Sequence, residues 1–180
     1  MSDTWVAMPP DRHAAYRDRI GGLYVREQAE LRPLDWNNAA RSATPSPGGN
    51  LRGPIRELGR FYEMLFQEGS LGGHRSLLPQ TVAAMTARHR VGDYDQTLGH
   101  IIDFGLGVII DSNRYGAATV PYGYGQYCSP RTFGHGGAQS SQGWCDPEMG
   151  LVVAWFFNGR AGEGQHNRRT RQMNEAIMLD

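Results

Sequence analysis

The feature that most constrains the fold is a run of apolar residues over positions 151–157, close to the C-terminus. Because the run does not alternate with polar residues, it predicts a strand covered on both faces. It is far shorter than the about 20 residues that span a membrane. Two more strand-like segments precede it, residues 132–139 and 142–145, with turns predicted at Ser140-Ser141 and at residues 146–150. The pattern predicts an antiparallel meander.

Helices are predicted around this meander. Residues 54–69 carry apolar side chains at three- and four-residue spacing, with Pro54 at the first helical position and Gly69 as the stop. Two helices, the meander and a closing helix make an α+β domain, and one edge of its sheet is expected to meet something else. The first 50 residues are predicted to be mostly irregular. Other predicted segments are helices over residues 11–19, 80–86 and 166–179, and extended chain over residues 23–25, 31–34 and 104–110.

Length and charge exclude several classes of function. The 180 residues suffice for one domain, and a net charge of zero gives no reason to expect binding to nucleic acid or to an anionic membrane. No signal peptide or transmembrane segment is visible, which leaves the compartment open.

Gly105 and Gly107 lack the third glycine of a dinucleotide fingerprint, and no histidines have metal-ligand spacing. We therefore expect no cofactor and no metal site.

The two cysteines, Cys128 and Cys145, fit neither a disulfide framework nor a four-ligand zinc site. With a hairpin turn at Ser140-Ser141, Cys128 lies several residues beyond the position opposite Cys145. At about 3.3 Å per residue this offset exceeds the ~7 Å limit for bridging. Both are predicted to be free thiols. An enzyme that uses one of them with His135 is a further alternative, although no third group is evident to orient the histidine.

The segment most suggestive of chemistry is residues 132–139, Thr-Phe-Gly-His-Gly-Gly-Ala-Gln, in a chain whose 18 basic residues are all arginine. The segment resembles the third active-site motif of the serine hydrolases related to class C β-lactamases, penicillin-binding proteins and esterases. The resemblance extends in the family's order along nearly the whole chain. It rests on residues 3–5, 47–51, 57–65, 77–79 with Met85, 104–107, 133–137, 146–148, 151–153 and 157–158.

The resemblance implies a partial β-lactamase/transpeptidase-like domain over residues 1–180, equivalent to the C-terminal half of the family's domain. The family hydrolyses esters or amides through an acyl-serine intermediate, with Ser-x-x-Lys supplying the nucleophile and its base. A chain without lysine has no such motif, and no tyrosine here is followed by the Asn of the family's Tyr-x-Asn. The resemblance therefore implies no nucleophile in this chain and no activity alone. The missing N-terminal half would be its partner, and Met1 would be an internal methionine.

The family also suggests roles for the motif residues. In relatives this strand lines the cleft opposite the nucleophile, which implies catalytic roles for His135 and Ala138. The N–H of Ala138 matches an oxyanion donor, while Gly136 and Gly137 would let a substrate backbone approach the strand edge. His135 stands where lactamases usually carry lysine, a change that leans toward esterases. In the complete protein the ligand would be a small ester, amide or β-lactam.

Two questions stay open at this point. Tyr122 and Tyr124, in a Gly-rich loop ahead of the motif, either line the substrate pocket or pack over the sheet edge. The chain itself is either the C-terminal half of a serine hydrolase or a stand-alone, non-catalytic binding module derived from the same fold. The binding module predicts one cooperative unfolding transition and a sheet whose edge is covered by the chain itself.

Overall fold

A computed structural model describes residues 1–28, 30–46 and 48–180. The helices are α1 (Pro10–Tyr16), α2 (Ala39–Ala43), α3 (Ile55–Phe66), α4 (Pro79–Thr86) and α5 (Glu163–Leu179), with 3₁₀ turns at Arg17–Arg19 and Asn113–Tyr115. The strands are β1 (Leu23–Glu27), β2 (Glu30–Leu34), β3 (Ser70–Leu71), β4 (His74–Arg75), β5 (Tyr94–Asp95), β6 (His100–Ile101), β7 (Ile109–Ile110), β8 (Phe133–Gly137), β9 (Ser141–Asp146), β10 (Leu151–Phe156) and β11 (Gly159–Arg160). The predicted α+β class is confirmed.

The central sheet is the predicted antiparallel meander, with strand order β10-β9-β8-β7. Its hairpin turn differs from the prediction, because Gly137 pairs with Ser141 and the connection is residues 138–140. The physical reason is Gln139, whose φ of 54° puts it in the left-handed region that closes a three-residue connection. The motif strand β8 therefore ends one residue before Ala138.

Helices cover both faces of this sheet. On one face, Tyr62 and Leu65 of α3 and Val82 of α4 pack against Phe133 and Cys145. On the other face, the loop before β8 and α5 pack against Trp144 and Val153 of the meander. The apolar strand β10 is thus covered on both faces as predicted. Its outer edge has no strand partner among the described residues.

Two predicted elements have different bounds. The strand over residues 104–110 shrinks to Ile109–Ile110, because Gly107 has a φ of 79° that breaks extended pairing and Phe104 makes only isolated bridges. The helix predicted over residues 54–69 is α3, but Pro54 precedes it as the N-cap, and it ends at Phe66 before Gly69. The closing helix α5 begins at Glu163, three residues earlier than predicted.

The N-terminal region is more regular than predicted. The hairpin of β1 and β2 pairs in parallel with β11, with Tyr24 opposite Gly159. Residues 11–19, predicted as one helix, form most of α1 and the first 3₁₀ turn. Of the turn predicted at residues 47–51, Pro47 lies outside the described residues, and Gly48-Gly49 form a turn in which the Asn50 N–H donates to the Ser46 oxygen.

The start of the chain is fixed to the N-terminal end of α3 by a buried carboxylate. Glu57 accepts hydrogen bonds from the backbone N–H groups of Ser2 and Asp3 and from the Thr4 hydroxyl. These bonds lower the pKa of Glu57 to about 2, and the bond from Thr4 has the largest effect. Burial of the carboxylate acts in the opposite direction. The segment 2–4 is therefore held to the α3 side of the domain by an ionised carboxylate.

Candidate functional site

The motif strand β8 places His135 and Ala138 at the surface, close to the free end of the hairpin. His135 pairs with Gly143 of β9, and both His135 and Ala138 are exposed. Thr132 and Phe133, at the other end of the motif, are buried, and the Thr132 hydroxyl donates to Asp146 at 2.8 Å. One end of the motif therefore anchors the strand, and the other end presents polar groups.

His135 has a defined tautomer in this geometry. Its Nδ1 lies 2.8 Å from the carbonyl oxygen of Gly136. Because a carbonyl oxygen only accepts, Nδ1 carries the proton, and Nε2 of the neutral ring is left as an acceptor. An exposed imidazole held in this way can accept a hydrogen bond from a hydroxyl. When protonated it can donate one to a carboxylate.

Gly136 and Gly137 are closely packed within the chain. A Cβ on Gly136 would overlap the ring of Tyr122, and a Cβ on Gly137 would overlap the Ser141 hydroxyl. The sequence prediction explained these glycines by the approach of a substrate backbone. Their immediate cause in the folded chain is the approach of these two side chains.

Tyr122 is held tightly beside the motif strand and is only 8% exposed. Its φ of 55° is unusual for a bulky residue, and two side chains hold its backbone: Asn167 accepts from its N–H at 3.1 Å, and Gln142 donates to its oxygen at 2.6 Å. Its hydroxyl donates to Glu163 at 3.0 Å. Burial, followed by this bond and the charge of Glu163, raises the pKa of Tyr122 to about 12, so the hydroxyl stays protonated.

Tyr124 is a core residue. It is 1% exposed, packs against Trp144 with ring centroids 6.0 Å apart, and donates from its hydroxyl to the Ile109 oxygen at 2.9 Å. Of the two alternatives left open by the sequence, packing over the sheet describes Tyr124. The Gly-rich loop folds down onto the sheet and buries the ring, and the role of Tyr124 in substrate binding stays a prediction.

Ala138 begins the turn that joins β8 to β9. Its N–H has no acceptor within the described part of the chain, whereas the neighbouring Ser140 N–H donates to the Gly137 oxygen at 3.2 Å. An exposed N–H at a strand end is a donor that an oxygen atom from outside the chain can reach. The geometry therefore leaves Ala138 free to act as predicted, and the role itself stays a prediction.

Three residues around this turn were missed by sequence reasoning. Gln139 donates from Nε2 to Glu163 at 2.7 Å, and Arg169 donates to the Gln139 backbone oxygen at 2.7 Å. Gln139 was visible in the motif, but no role was predicted for it. Glu163 lay outside the predicted closing helix, because Gly162 and Gly164 obscure the beginning of α5. No local signal could have paired residues so distant in sequence.

The cysteines are both free thiols, as predicted, but the hairpin does not bring Cys145 to His135. Cys145 lies opposite Phe133 and is fully buried, and burial followed by the charge of Asp146 raises its pKa to about 12. Burial and then the charge of Asp111 raise the pKa of Cys128, whose thiol donates to Asp111 at 3.2 Å. Neither thiol has the lowered pKa of a nucleophilic cysteine.

The described residues include no cluster of three or more His, Cys, Asp or Glu side chains that could hold a metal ion. In the same ranges, no helix combines the length and apolar character that crossing a bilayer requires. The candidate site consists of the polar groups at the free end of the hairpin, His135, Ala138 and Gln139.

The fold is similar to several solved structures. A penicillin-binding protein homolog from Caulobacter crescentus matches 98% of this chain and 48% of its own, at a TM-score of 0.74 and 24% identity. EstCE1, a hydrolase with promiscuous acyltransferase activity, matches 99% of this chain and 47% of its own, at 0.73 and 22%. A family VIII carboxylesterase matches 96% of this chain and 47% of its own, at a TM-score of 0.64 and 21% identity. The chain spans about half the length of these solved structures.

The sequence gives independent evidence. A search among curated protein sequences finds no match. The Beta-lactamase family model, by contrast, matches residues 1–177, which is nearly the whole chain. The ordered series of motifs, the partial β-lactamase/transpeptidase-like fold and this match agree with one another. The chain belongs to the β-lactamase family.

Proposed function

We propose that residues 1–180 are the C-terminal portion of a single serine hydrolase domain and form one wall of its active site. The Ser-x-x-Lys nucleophile would belong to a segment outside these residues, and the substrate would be a small ester, amide or β-lactam. The observation that carries the proposal is the free N–H of Ala138 at the end of the motif strand, in a chain without lysine. The match to about half of each related structure supports it.

In the proposed reaction, the serine oxygen forms a bond to the substrate carbonyl carbon while the neighbouring base takes its proton. The carbonyl oxygen becomes an oxyanion, which the Ala138 N–H and the serine's own N–H stabilise together. Expulsion of the leaving alcohol or amine, which receives the proton, gives the acyl-serine, and water then hydrolyses it by the same steps. One such donor lowers the barrier by about 3 to 4 kcal/mol.

His135 would stand beside the reacting group and orient the substrate or a hydroxyl of the missing segment. Its Nδ1 is committed to Gly136, which leaves Nε2 as the group that meets the ligand. Histidine supplies a positive charge less reliably than the lysine that lactamases usually carry here, and this favours ester substrates.

The outer edge of β10 supports the existence of a partner segment. Its backbone groups have no strand partner among the described residues, while helices cover both of its faces. An uncovered strand edge of this kind is a template on which another strand can pair. We propose that the segment carrying the nucleophile adds at least one strand here and thereby brings the serine to the face of the motif strand.

A non-catalytic binding module is the second candidate. One observation favours it: the chain fastens its own N-terminal region, with β1 paired to β11 and residues 2–4 bound to Glu57. Such a module would use the exposed His135 and Ala138 to hold a ligand without chemistry. A sharp, single unfolding transition of residues 1–180 alone would favour this candidate.

The first test is to sequence the DNA upstream of the Met1 codon and translate it in the same frame. An open frame that contains Ser-x-x-Lys and then Tyr-x-Asn is expected. Stop codons directly upstream would contradict the hydrolase proposal and favour the binding module.

The second test is the activity of the longer protein against a chromogenic acetate ester. Ala138→Pro removes the N–H and is expected to lower kcat about 10²- to 10³-fold, the effect of losing one oxyanion donor. Ala138→Gly keeps the N–H and is expected to lose less than about ten-fold, since only a methyl group is removed. Equal kcat values for the two variants would contradict the assigned role of Ala138.

A further inference from the structure

The turn that carries Ala138 is held from one side by the first two turns of α5. The amide of Gln139 is bonded at both ends: Nε2 donates to Glu163 at 2.7 Å, and Oε1 accepts from the Gly162 N–H at 2.9 Å. Its backbone oxygen accepts from Arg169 at 2.7 Å. We call Gln139, Gly162, Glu163 and Arg169 the α5 clamp.

The backbone of Gln139 needs such a clamp. Its φ of 54° lies in the left-handed region, which costs a residue with a Cβ of order 1 kcal/mol and persists only where the surroundings impose it. Apart from the strand pairing at its two ends, the backbone–backbone hydrogen bonds of the turn within the described residues are the one from Ser140 N–H to Gly137 and the one from Phe157 N–H to Ser140. The two bonds between Gln139 and α5, and the one from Gly162 just before the helix, therefore add three restraints on the residue that follows Ala138.

The clamp is itself fixed on the sheet. Arg169 also donates to the Gly159 oxygen at 2.6 Å, and its guanidinium lies 4.3 Å from the centre of the Phe157 ring. Glu163 accepts from the Tyr122 hydroxyl at 3.0 Å as well as from Gln139. One carboxylate thus orients both the ring that covers Gly136 and the turn that follows it.

We infer that Gln139, held by Glu163 and Arg169, is a positioning residue that fixes the direction of the Ala138 N–H. The inference rests on the proposed role of Ala138 as oxyanion donor. It adds that contacts with α5 determine the direction in which the Ala138 N–H points. Helix α5 lies on the face of the sheet opposite to α3. Because a donor acts only when it points to the site where charge develops, a loose turn would lower kcat and leave substrate binding largely intact.

The direct test measures order at Ala138 by ¹⁵N relaxation in the full chain of residues 1–180. Gln139→Gly removes the side-chain bonds but adopts the left-handed backbone without strain, and Gln139→Ala removes the bonds and keeps the strain. Both are expected to reduce the Ala138 order parameter from about 0.85 to below about 0.6. The matched control is Gln165→Ala, at an exposed glutamine on α5, and it should leave the Ala138 order parameter unchanged. An unchanged order parameter in both Gln139 variants would overturn the inference.

The kinetic test uses the longer hydrolase with its nucleophile. Gln139→Gly is expected to lower kcat about 10- to 100-fold with KM within two-fold, because a small misplacement of a catalytic group costs up to about 10²-fold. A KM increase with unchanged kcat would also overturn the inference. An inactive wild-type protein would contradict the proposed function instead, and the order parameters of the previous test would still decide whether Gln139 holds the turn.

Discussion

The two faces of the central sheet are stabilised by different kinds of contact. On the α3 side the cluster is almost wholly apolar, built around Tyr62, Leu65 and Phe133. On the α5 side three polar residues, His166, Thr170 and Asn174, lie one helical turn apart and are all fully buried. The buried hydrogen bonds of these three side chains are those of Asn174, whereas His166 Nε2 and the Thr170 hydroxyl have no partner within the described residues. Apolar packing tolerates exchange of similar shapes, whereas buried hydrogen bonds fix one arrangement. The face with the fixed arrangement is the one from which α5 holds the turn of Ala138.

Asn174 is the centre of the polar side. Its Oδ1 accepts from the indole N–H groups of Trp144 and Trp155, each at 3.1 Å. Its Nδ2 donates to the Gly123 oxygen at 2.9 Å and to Gln142 at 2.7 Å. One side chain thus joins α5 to two strands and to the loop that carries Tyr122, which explains why that loop can hold a residue with positive φ.

The largest predicted effect contrasts the two faces by apolar substitution. Asn174→Leu leaves four buried groups without a partner, and at about 1 to 3 kcal/mol each it should lower the free energy of unfolding by at least about 4 kcal/mol. Leu65→Met, on the apolar face, should cost less than about 1.5 kcal/mol. Urea denaturation followed by circular dichroism measures both. Similar losses for the two variants would remove the distinction between the faces.

The next effect depends on pH and concerns His166, whose Nε2 has no hydrogen-bond partner within the described residues. Burial, and then the charge of Arg169, lower its pKa from 6.5 to about 4, with Glu163 acting in the opposite direction. The unfolded chain therefore binds the proton first, and stability that is complete above pH 6.5 is lost as the pH falls to about 4. The difference between the two pKa values of His166 corresponds to about 3 kcal/mol of free energy of unfolding.

His166→Phe should flatten the stability profile between pH 6.5 and 4, as measured by urea denaturation at successive pH values. The control is His74→Gln, at an exposed histidine on β4, which should leave the wild-type slope. A wild-type profile without a slope in this interval would mean that protonated His166 is accommodated in the fold.

A smaller effect at lower pH belongs to the α3 side. Because the pKa of Glu57 is lowered from 4.5 to about 2, its bonds to residues 2–4 contribute stability above pH 4.5 that is lost as the pH falls to about 2. Glu57→Gln should remove that slope, and Glu68→Gln, at an exposed position, should retain it. Thermal melts between pH 2 and 5 test this, and parallel profiles for Glu57→Gln and the wild type would contradict it.

The smallest predicted change in the free energy of unfolding concerns the two thiols. Cys145 packs on the α3 face of the sheet, and Cys128 packs on the α5 face. Cys145→Val, among apolar neighbours, should cost less than about 1.5 kcal/mol. Cys128→Val should cost more, since Cys128 donates to Asp111 and accepts from Asn113 at 3.4 Å. Iodoacetamide at pH 8 should label neither thiol in the folded protein. Rapid labelling of Cys145 without unfolding would show that the α3 face opens readily.

The meander and α3 could be predicted because their signals are local. The apolar run at residues 151–157, the turn residues around it and the helical spacing before Gly69 each specify an element without reference to the rest of the chain. The shortened strand β7 and the shifted hairpin turn could not be read in this way, because they depend on the left-handed conformations of Gly107 and Gln139.

The candidate site also has a part that could be predicted from the sequence and a part that could not. His135 and Ala138 could be located from the motif, and the strand presents both at the surface. The burial of Tyr124 and the clamp on Gln139 could not, because both arise from contacts with residues far away in sequence. Sequence patterns specify which groups a strand presents, and tertiary packing specifies where those groups point.

The pairing of β1 with β11 has a consequence for how this polypeptide acquires its structure. Tyr24 emerges from the ribosome long before Gly159, so its strand pairing has to wait until nearly the entire chain has been made. Contacts of such sequence separation slow folding, because the intervening loop must be closed before the contact is gained. Until Gly159 has been made, the N-terminal hairpin therefore lacks its strand partner, and Leu31 stays exposed even in the finished fold.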